Sequence, residues 1–216
     1  MKAHEVRAVL EGRMTQVRRL VRDQPPRATL RIDPACVCPL FPEATHHAVV
    51  PSGAPGHEAC CWHIKCPFGG AGDRLWIRET WALETMPEGE RIVWRADKAA
   101  AWRGEEHFYL DADYKPDWWR SPIHMPRWAS RITLEVASVR VERLQDIGEA
   151  DAKAEGVPAR VMSTAEPLHV VELACTGRPY AAVCALQWDA VNGAGSWKGN
   201  PWVWVVRFKR VEPSNG

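Results

Sequence analysis

Apolar and polar positions change their period several times along the chain, and each change predicts an element. Residues 4–11 repeat at helical spacing, with Val6, Val9 and Leu10 on one face and Gly12 placed to end the helix. Thr15–Val21 follows with β-branched residues among arginines and reads as extended, so Gly12–Arg19 is a helix end turning into a strand. Residues 34–68 lose periodicity and fill with Pro, Gly, His and Cys, which predicts a long irregular insertion. Gly72-Asp73 is a turn, and Leu75 and Ile77 begin a short strand that structures the chain up to Trp81. Arg91–Arg95 is a hairpin strand. A second irregular insertion, at about 96–125, is rich in Trp and Pro, and its aromatic content argues against disorder.

The second half of the chain is more regular. Arg131–Arg143 is the clearest strand, with Ile132, Leu134 and Val136 on one parity and Val139 and Val141 on the other. That switch predicts a bulge or bend near Ala137-Ser138, of the kind that curls a small sheet. Gly148–Glu155 is a short helix with acids early and Gly156 at its end. Residues 160–177 read as a variable loop. Pro179–Val191 is a helix with Pro near its start. In Trp202–Val211 one face carries Trp202, Trp204, Val206 and Phe208, while Val203 and Val205 fill the other, so this strand is central rather than an edge. The mixed order with one small sheet predicts a single α+β domain over 1–216, built on a partly open β-barrel with short flanking helices and long loop insertions.

Composition adds less. The chain has 216 residues, 46% hydrophobic and 25% charged, enough for one domain with a real core. No run reaches the roughly 18 apolar residues of a membrane helix. The N-terminal segment lacks the apolar core of a secretion signal, so a cytoplasmic protein with reduced thiols is the expectation. Net charge is only +1, but residues 1–31 hold eight basic side chains against three acidic ones, a net +5. A basic segment of that kind holds phosphate or forms a solvated face. Twelve tryptophans serve as core anchors or as stacking platforms for bases.

Seven cysteines make an odd count, which fits poorly with a closed disulfide framework. Cys36, Cys38, Cys60 and Cys66, with histidines between them, leave two readings open: a structural zinc site, or an insertion with unligated thiols. No other cofactor is indicated.

Five segments in order carry a family resemblance. They are Gly12–Arg19 (Gly-Arg-Met-Thr-Gln-Val-Arg-Arg), Gly72–Glu79 (Gly-Asp-Arg-Leu-Trp-Ile-Arg-Glu), Ile123–Arg131 (Ile-His-Met-Pro-Arg-Trp-Ala-Ser-Arg), Ile132–Gly156, and the C-terminal run from Asn192 through Phe208. Together they resemble the ASCH domain family, in the longer form common in phage and prophage genomes, over most of the chain outside 34–66 and 157–178. The resemblance implies a PUA-like β-barrel with a cleft beside the Gly-Arg-x-Thr turn and a nucleobase, nucleoside or RNA partner. Some small members resemble amidohydrolases that deacylate N4-acetylcytidine with a lysine in that turn, a nucleophilic threonine three residues on, and a glutamate on the later short helix. Here the glutamate position is Glu155, the lysine position is Met14 and the threonine position is Val17. Met cannot move a proton and Val offers no nucleophilic oxygen. Thr15 and Lys153 are the nearby side chains with a hydroxyl and an amine, and geometry decides whether either replaces them.

The expected site follows. Glu155 and Thr15 are the candidate catalytic groups. Arg13, Met14, Val17, Arg18 and Arg19 line the candidate binding cleft. An extended chain sends Arg18 and Arg19 to opposite faces, so Arg13 and one of that pair are the expected arginines. Arg127 and Trp128, with His124 beside them, form a lid that stacks on a base or an anchor for the loop. Three functions are in play: a nucleobase- or RNA-binding module whose affinity falls with salt, an amidohydrolase of N4-acylated cytidine, and a phage accessory protein acting through protein–protein contact.

Overall fold

The computed structural model describes residues 1–25, 29, 31–33, 46–51, 58–86, 89–97, 119–157 and 168–211. The chain divides into two compact units interleaved along the sequence: Met1–Met14, Arg74–Glu135 and Lys209–Gly216 form the first, and Thr15–Asp73 and Val136–Phe208 the second. Two long strands pass from one unit into the other. These are β8 (Thr133–Arg143) and β9 (Trp202–Val211).

The protein is α+β with antiparallel strands. The largest sheet has the order β1-β9-β8-β5, where β1 is Gln16–Leu20 and β5 is Arg74–Trp76. Both outer pairings are antiparallel, β1 on β9 and β5 on β8. Near one end Lys209 pairs with Glu135, and near the other the Leu144 N–H donates to the Pro201 carbonyl, so β8 and β9 also run antiparallel. β9 is interior, and Trp202 through Val206 are all buried, as a strand apolar on both faces requires. On β8 Leu134 and Val136 are buried, then Ala137 and Ser138 are both exposed, so the inward alternation stops where the sequence parity changes.

In the first unit, α1 (Ala3–Leu10) buries Val6, Ala8 and Val9 and ends at Gly12, whose φ of 71° a residue with Cβ adopts at a cost. A hairpin of β6 (Trp81–Met86) and β7 (Gly89–Trp94) stands beside two 3₁₀ turns, η1 (Pro122–His124) and η2 (Arg127–Ala129). Trp81, Met125 and Ala129 form the local core, with Leu83, Ile92 and Trp94 against it.

In the second unit, η3 (Leu144–Asp146) and α2 (Glu149–Ala154) follow β8, then α3 (Leu168–Cys175) and α4 (Pro179–Asn192). Ile147, Ala152, Val170 and Ala181–Ala185 pack with Val203 and Val205 of β9. The Glu149 carboxylate accepts the Tyr180 and Ala181 N–H groups at 3.2 and 2.9 Å, which ties α2 to the first turn of α4.

Two regions differ from the sequence expectation. The supposed irregular stretch 34–68 contains strands: β3 (His46–Pro51) and β4 (Glu58–Ile64) pair antiparallel, and β2 (Arg31–Asp33) joins the far edge of β3. The supposed loop 160–177 contains α3. Most of the second expected insertion, 98–118, lies outside the described residues.

Candidate functional site: a buried arginine–carboxylate cluster

The site grows out of the alternation of β1 and the segment before it. Met14, Gln16 and Arg18 are buried, Val17 is half-buried, and Thr15 and Arg19 are exposed. One face of the strand therefore carries an apolar, an amide and a cationic side chain into the protein. The Thr15 N–H donates to the Ala154 carbonyl at 2.8 Å, and the Thr15 carbonyl accepts from Phe208 N–H at 2.9 Å. Those bonds fix the start of β1 between β9 and the end of α2, and so bring Glu155 alongside Arg18.

Arg18 is 4% exposed, and a guanidinium so deep needs acceptors. It has three. Nη1 donates to Glu155, Nη2 donates to Glu142 near the end of β8, and Nη2 lies 3.4 Å from Asp151 on α2. A second layer surrounds these. Arg140 donates to Glu142 at 2.8 Å and to Asp151 at 2.6 Å. Arg207 of β9 donates to Asp151 at 2.9 Å and to Gln16 Oε1 at 2.9 Å. The cross-strand register explains the last bond, because Gln16 and Arg207 are partners across β1 and β9. Three arginines thus meet three carboxylates. Exposure rises outward, from Arg18 to Arg140 to Arg207, so the cluster has a buried floor and a wet rim.

The electrostatics follow from depth. Burial works against the Arg18 charge, but Glu155 and Glu142 outweigh it and keep the guanidinium protonated. Burial pushes the Glu155 carboxyl above its ordinary value, although Arg18, Gln16 and Arg19 all favour its charged form. Asp151 goes the other way: burial raises it, but the Arg207 hydrogen bond and the charges of Arg140, Arg18 and Arg207 hold it below its ordinary value. At the floor Arg18 Nε is buried with no hydrogen bond among the described residues, while the Gln16 amide faces Glu155 and favours its charged form. Cys184 of α4 lies close enough to feel Glu155, and burial pushes its thiol far up, so it is an inert core thiol.

The sequence-selected residues fall in three places. Glu155 and Arg18 meet directly, with Met14 buried on the same side of the chain. Val17 and Arg19 belong to the other face of β1, and Arg19 donates to the Arg18 carbonyl at 3.2 Å. Thr15 is exposed, and it is its backbone that bonds α2 and β9. Arg13 pairs at the surface with Glu11, away from these groups. Lys153 sits over the Tyr180 ring at 4.7 Å rather than at Glu155. Arg127 and Trp128 lie in the first unit on η2. Of the proposed zinc ligands, Cys36, Cys38 and the Cys60 side chain are outside the described residues. Cys66 is buried, with its thiol pushed up by burial against the Phe68 N–H. No group of metal-ligating side chains occurs among the described residues. No helix among them is long and apolar enough to cross a membrane.

Sequence reading missed Gln16, Arg140, Glu142, Asp151 and Arg207. A signal existed for each. Gln16 shares the strand parity of Arg18, Arg140 and Glu142 share a parity on β8, and Asp151 stands four residues before Glu155. Arg207 is the first charge after the apolar run Trp202–Val206 of β9.

No family model matches the chain, and no curated protein or solved structure matches it either.

Proposed function

We propose that this chain is a binding protein of the ASCH type, with a PUA-like barrel, that receives a nucleobase, modified pyrimidine nucleoside or RNA segment at the Arg18–Glu155 cluster. The observation that carries the reading is the convergence of Glu155 with Gln16, Arg18, Arg140 and Arg207. Carboxylates accept from the exocyclic amine of a base, while the amide and guanidinium groups donate to its ring nitrogens and carbonyls.

Binding fits these groups better than hydrolysis. Met14 and Val17 occupy the positions where the resembling enzymes carry lysine and threonine. Thr15 is exposed, and Lys153 is engaged with Tyr180. One observation favours the amidohydrolase reading: burial raises the Glu155 carboxyl above its ordinary value, which suits a group that gives and takes a proton.

The test is a titration of the full chain at low salt with cytidine, N4-acetylcytidine and a short RNA, by calorimetry and ultraviolet absorbance. Saturable binding with an unchanged N4-acetylcytidine spectrum is expected, weakened about ten-fold or more in Glu155→Gln, the loss of one charge-assisted hydrogen bond. Spectral conversion that Glu155→Ala abolishes would replace binding with hydrolysis. Absence of binding to all three ligands would sink the reading.

A further inference from the structure

The first unit holds a surface of different make-up. Trp76, at the end of β5, is flanked by two guanidiniums: Arg78 Cζ lies 4.5 Å from its ring centroid and Arg127 Cζ lies 5.7 Å from it. Since both distances are measured to one centroid, the two cations are separated by no more than about 10 Å, one Debye length in 0.1 M salt. Their neighbours hold them in place without neutralising them. Arg78 donates to the Ile123 carbonyl at 3.1 Å, and Arg127 donates to Thr133 Oγ1 at 3.1 Å. A third guanidinium, Arg120, lies 5.1 Å from the Trp81 ring, and Trp128 meets the same ring edge-on at 5.7 Å. None of the three arginines has a carboxylate partner among the described residues. Among the described acids of this unit, Glu79 and Asp97 pair with Arg131, Glu135 with Lys209 and Glu84 with Arg91.

Two further features point to a ligand. Trp128 is 65% exposed and Ile123 is 69% exposed, which is unusual for large apolar side chains on short 3₁₀ turns pinned by a buried core. The exposed Trp128 ring rests edge-on against Trp81, which is 1% exposed in the local core with Met125 and Ala129, so the open ring stands on a fixed base.

We infer that this Trp76–Trp128 surface binds single-stranded nucleic acid. Bases stack on the open Trp128 face, and backbone phosphates take the charge of Arg78, Arg127 and Arg120. Stacking of this kind tolerates any base, because every base has a π-face, and it requires unpaired bases. The site belongs to the first unit and stands independently of the nucleoside reading for the Arg18 cluster.

The test uses the full chain and fluorescein-labelled 12-nucleotide oligouridylate and oligothymidylate, followed by anisotropy across a salt series. An equal-length duplex and inorganic polyphosphate serve as controls. Both single strands are expected to bind more tightly than the duplex and polyphosphate, and a preference between the two reports a 2′-hydroxyl contact. Trp128→Ala is expected to weaken binding about ten-fold and Trp128→Phe to retain most of it. The Arg78→Ala/Arg127→Ala pair is expected to flatten the slope of log affinity against log salt by about 1.4, two phosphate contacts on a single strand. Binding of polyphosphate or duplex equal to the strands, or indifference to Trp128→Ala in a chain that still melts cooperatively, overturns the proposal. So does absence of strand binding at low salt. Concentration-dependent self-association that Trp128→Ala abolishes, without strand binding, would assign the surface to a second copy of this chain. A chain that binds nucleosides but no strand overturns this proposal alone.

Discussion

Arginine does opposite work in the two units. In the second, Arg18, Arg140 and Arg207 are matched by Glu142, Asp151 and Glu155, and the network is built around a guanidinium that is almost fully buried. In the first, Arg78, Arg120 and Arg127 lie against tryptophan faces and are themselves exposed. Guanidinium is planar and weakly hydrated, so it serves in either setting, as a fork for carboxylates or as a plate over an aromatic ring. Depth separates the two uses. A buried cation must be neutralised by fixed partners, and those partners make it structural as well as functional. An exposed cation on an aromatic ring keeps its charge available to a mobile anion.

The contrast breaks most severely at Arg18. Arg18→Ala leaves Glu142 and Glu155 facing each other in a poorly solvated place. A loss of about 3–5 kcal/mol in unfolding free energy is expected, measured by chemical denaturation. A near-unchanged midpoint would show that solvent reaches the floor of the cluster and that it is not a buried network.

Acid sharpens the comparison next. Asp151 is held below its ordinary value, so its contribution to stability is complete above the ordinary aspartate range and is lost as pH falls through the depressed value. Glu155 is raised, so the folded protein takes up its proton more readily than the unfolded chain does, and stability gains as pH falls through that higher value. The two effects occupy different windows: stability gains in mildly acidic solution as Glu155 protonates, and is lost below the ordinary aspartate range as Asp151 protonates. Thermal melts across pH check this, with Asp151→Asn as the control that loses the steep acid limb.

The smallest stability effect is expected at Trp128. Its ring is mostly solvent-exposed and makes one edge-on aromatic pair, so Trp128→Ala costs about 0.5–1.5 kcal/mol. Trp81→Ala, the buried partner of the same edge-on pair and the centre of its core, costs about 3–5 kcal/mol. If the two variants melted alike, Trp128 would be a structural anchor and the division between surface and core would fail.

Much of the site's frame was legible before the structure. The helix-to-strand turn at Gly12–Arg19, the parity switch at Ala137-Ser138, the short helix ending at Gly156 and the two-faced apolar strand Trp202–Val211 all follow from local periodicity. They correspond to elements that position Arg18 and Glu155. Other parts were not legible for identifiable reasons. His46–Pro51 and Glu58–Ile64 lack the alternation of a half-buried strand, and pairing with each other supplies what local pattern does not. Leu168–Cys175 is short and apolar nearly all round, so no amphipathic stripe announces a helix, yet Val170 is buried in the core of its unit.

The sequence by itself determined where the chain is helical or extended around the site, and that Arg18 and Arg19 face opposite ways, because both rest on repeats within a few residues. The odd cysteine count and the basic N-terminal segment are composition and need no fold. Only the tertiary structure decided that Arg18 rather than Arg19 is buried, that Glu155 is its partner, and that Arg13 pairs with Glu11 instead. Arg18 and Glu155 are 137 residues apart in the chain. A charge is placed by the carboxylates that repay its desolvation, and those are brought to it by strand pairing and helix packing over distances that no local pattern records.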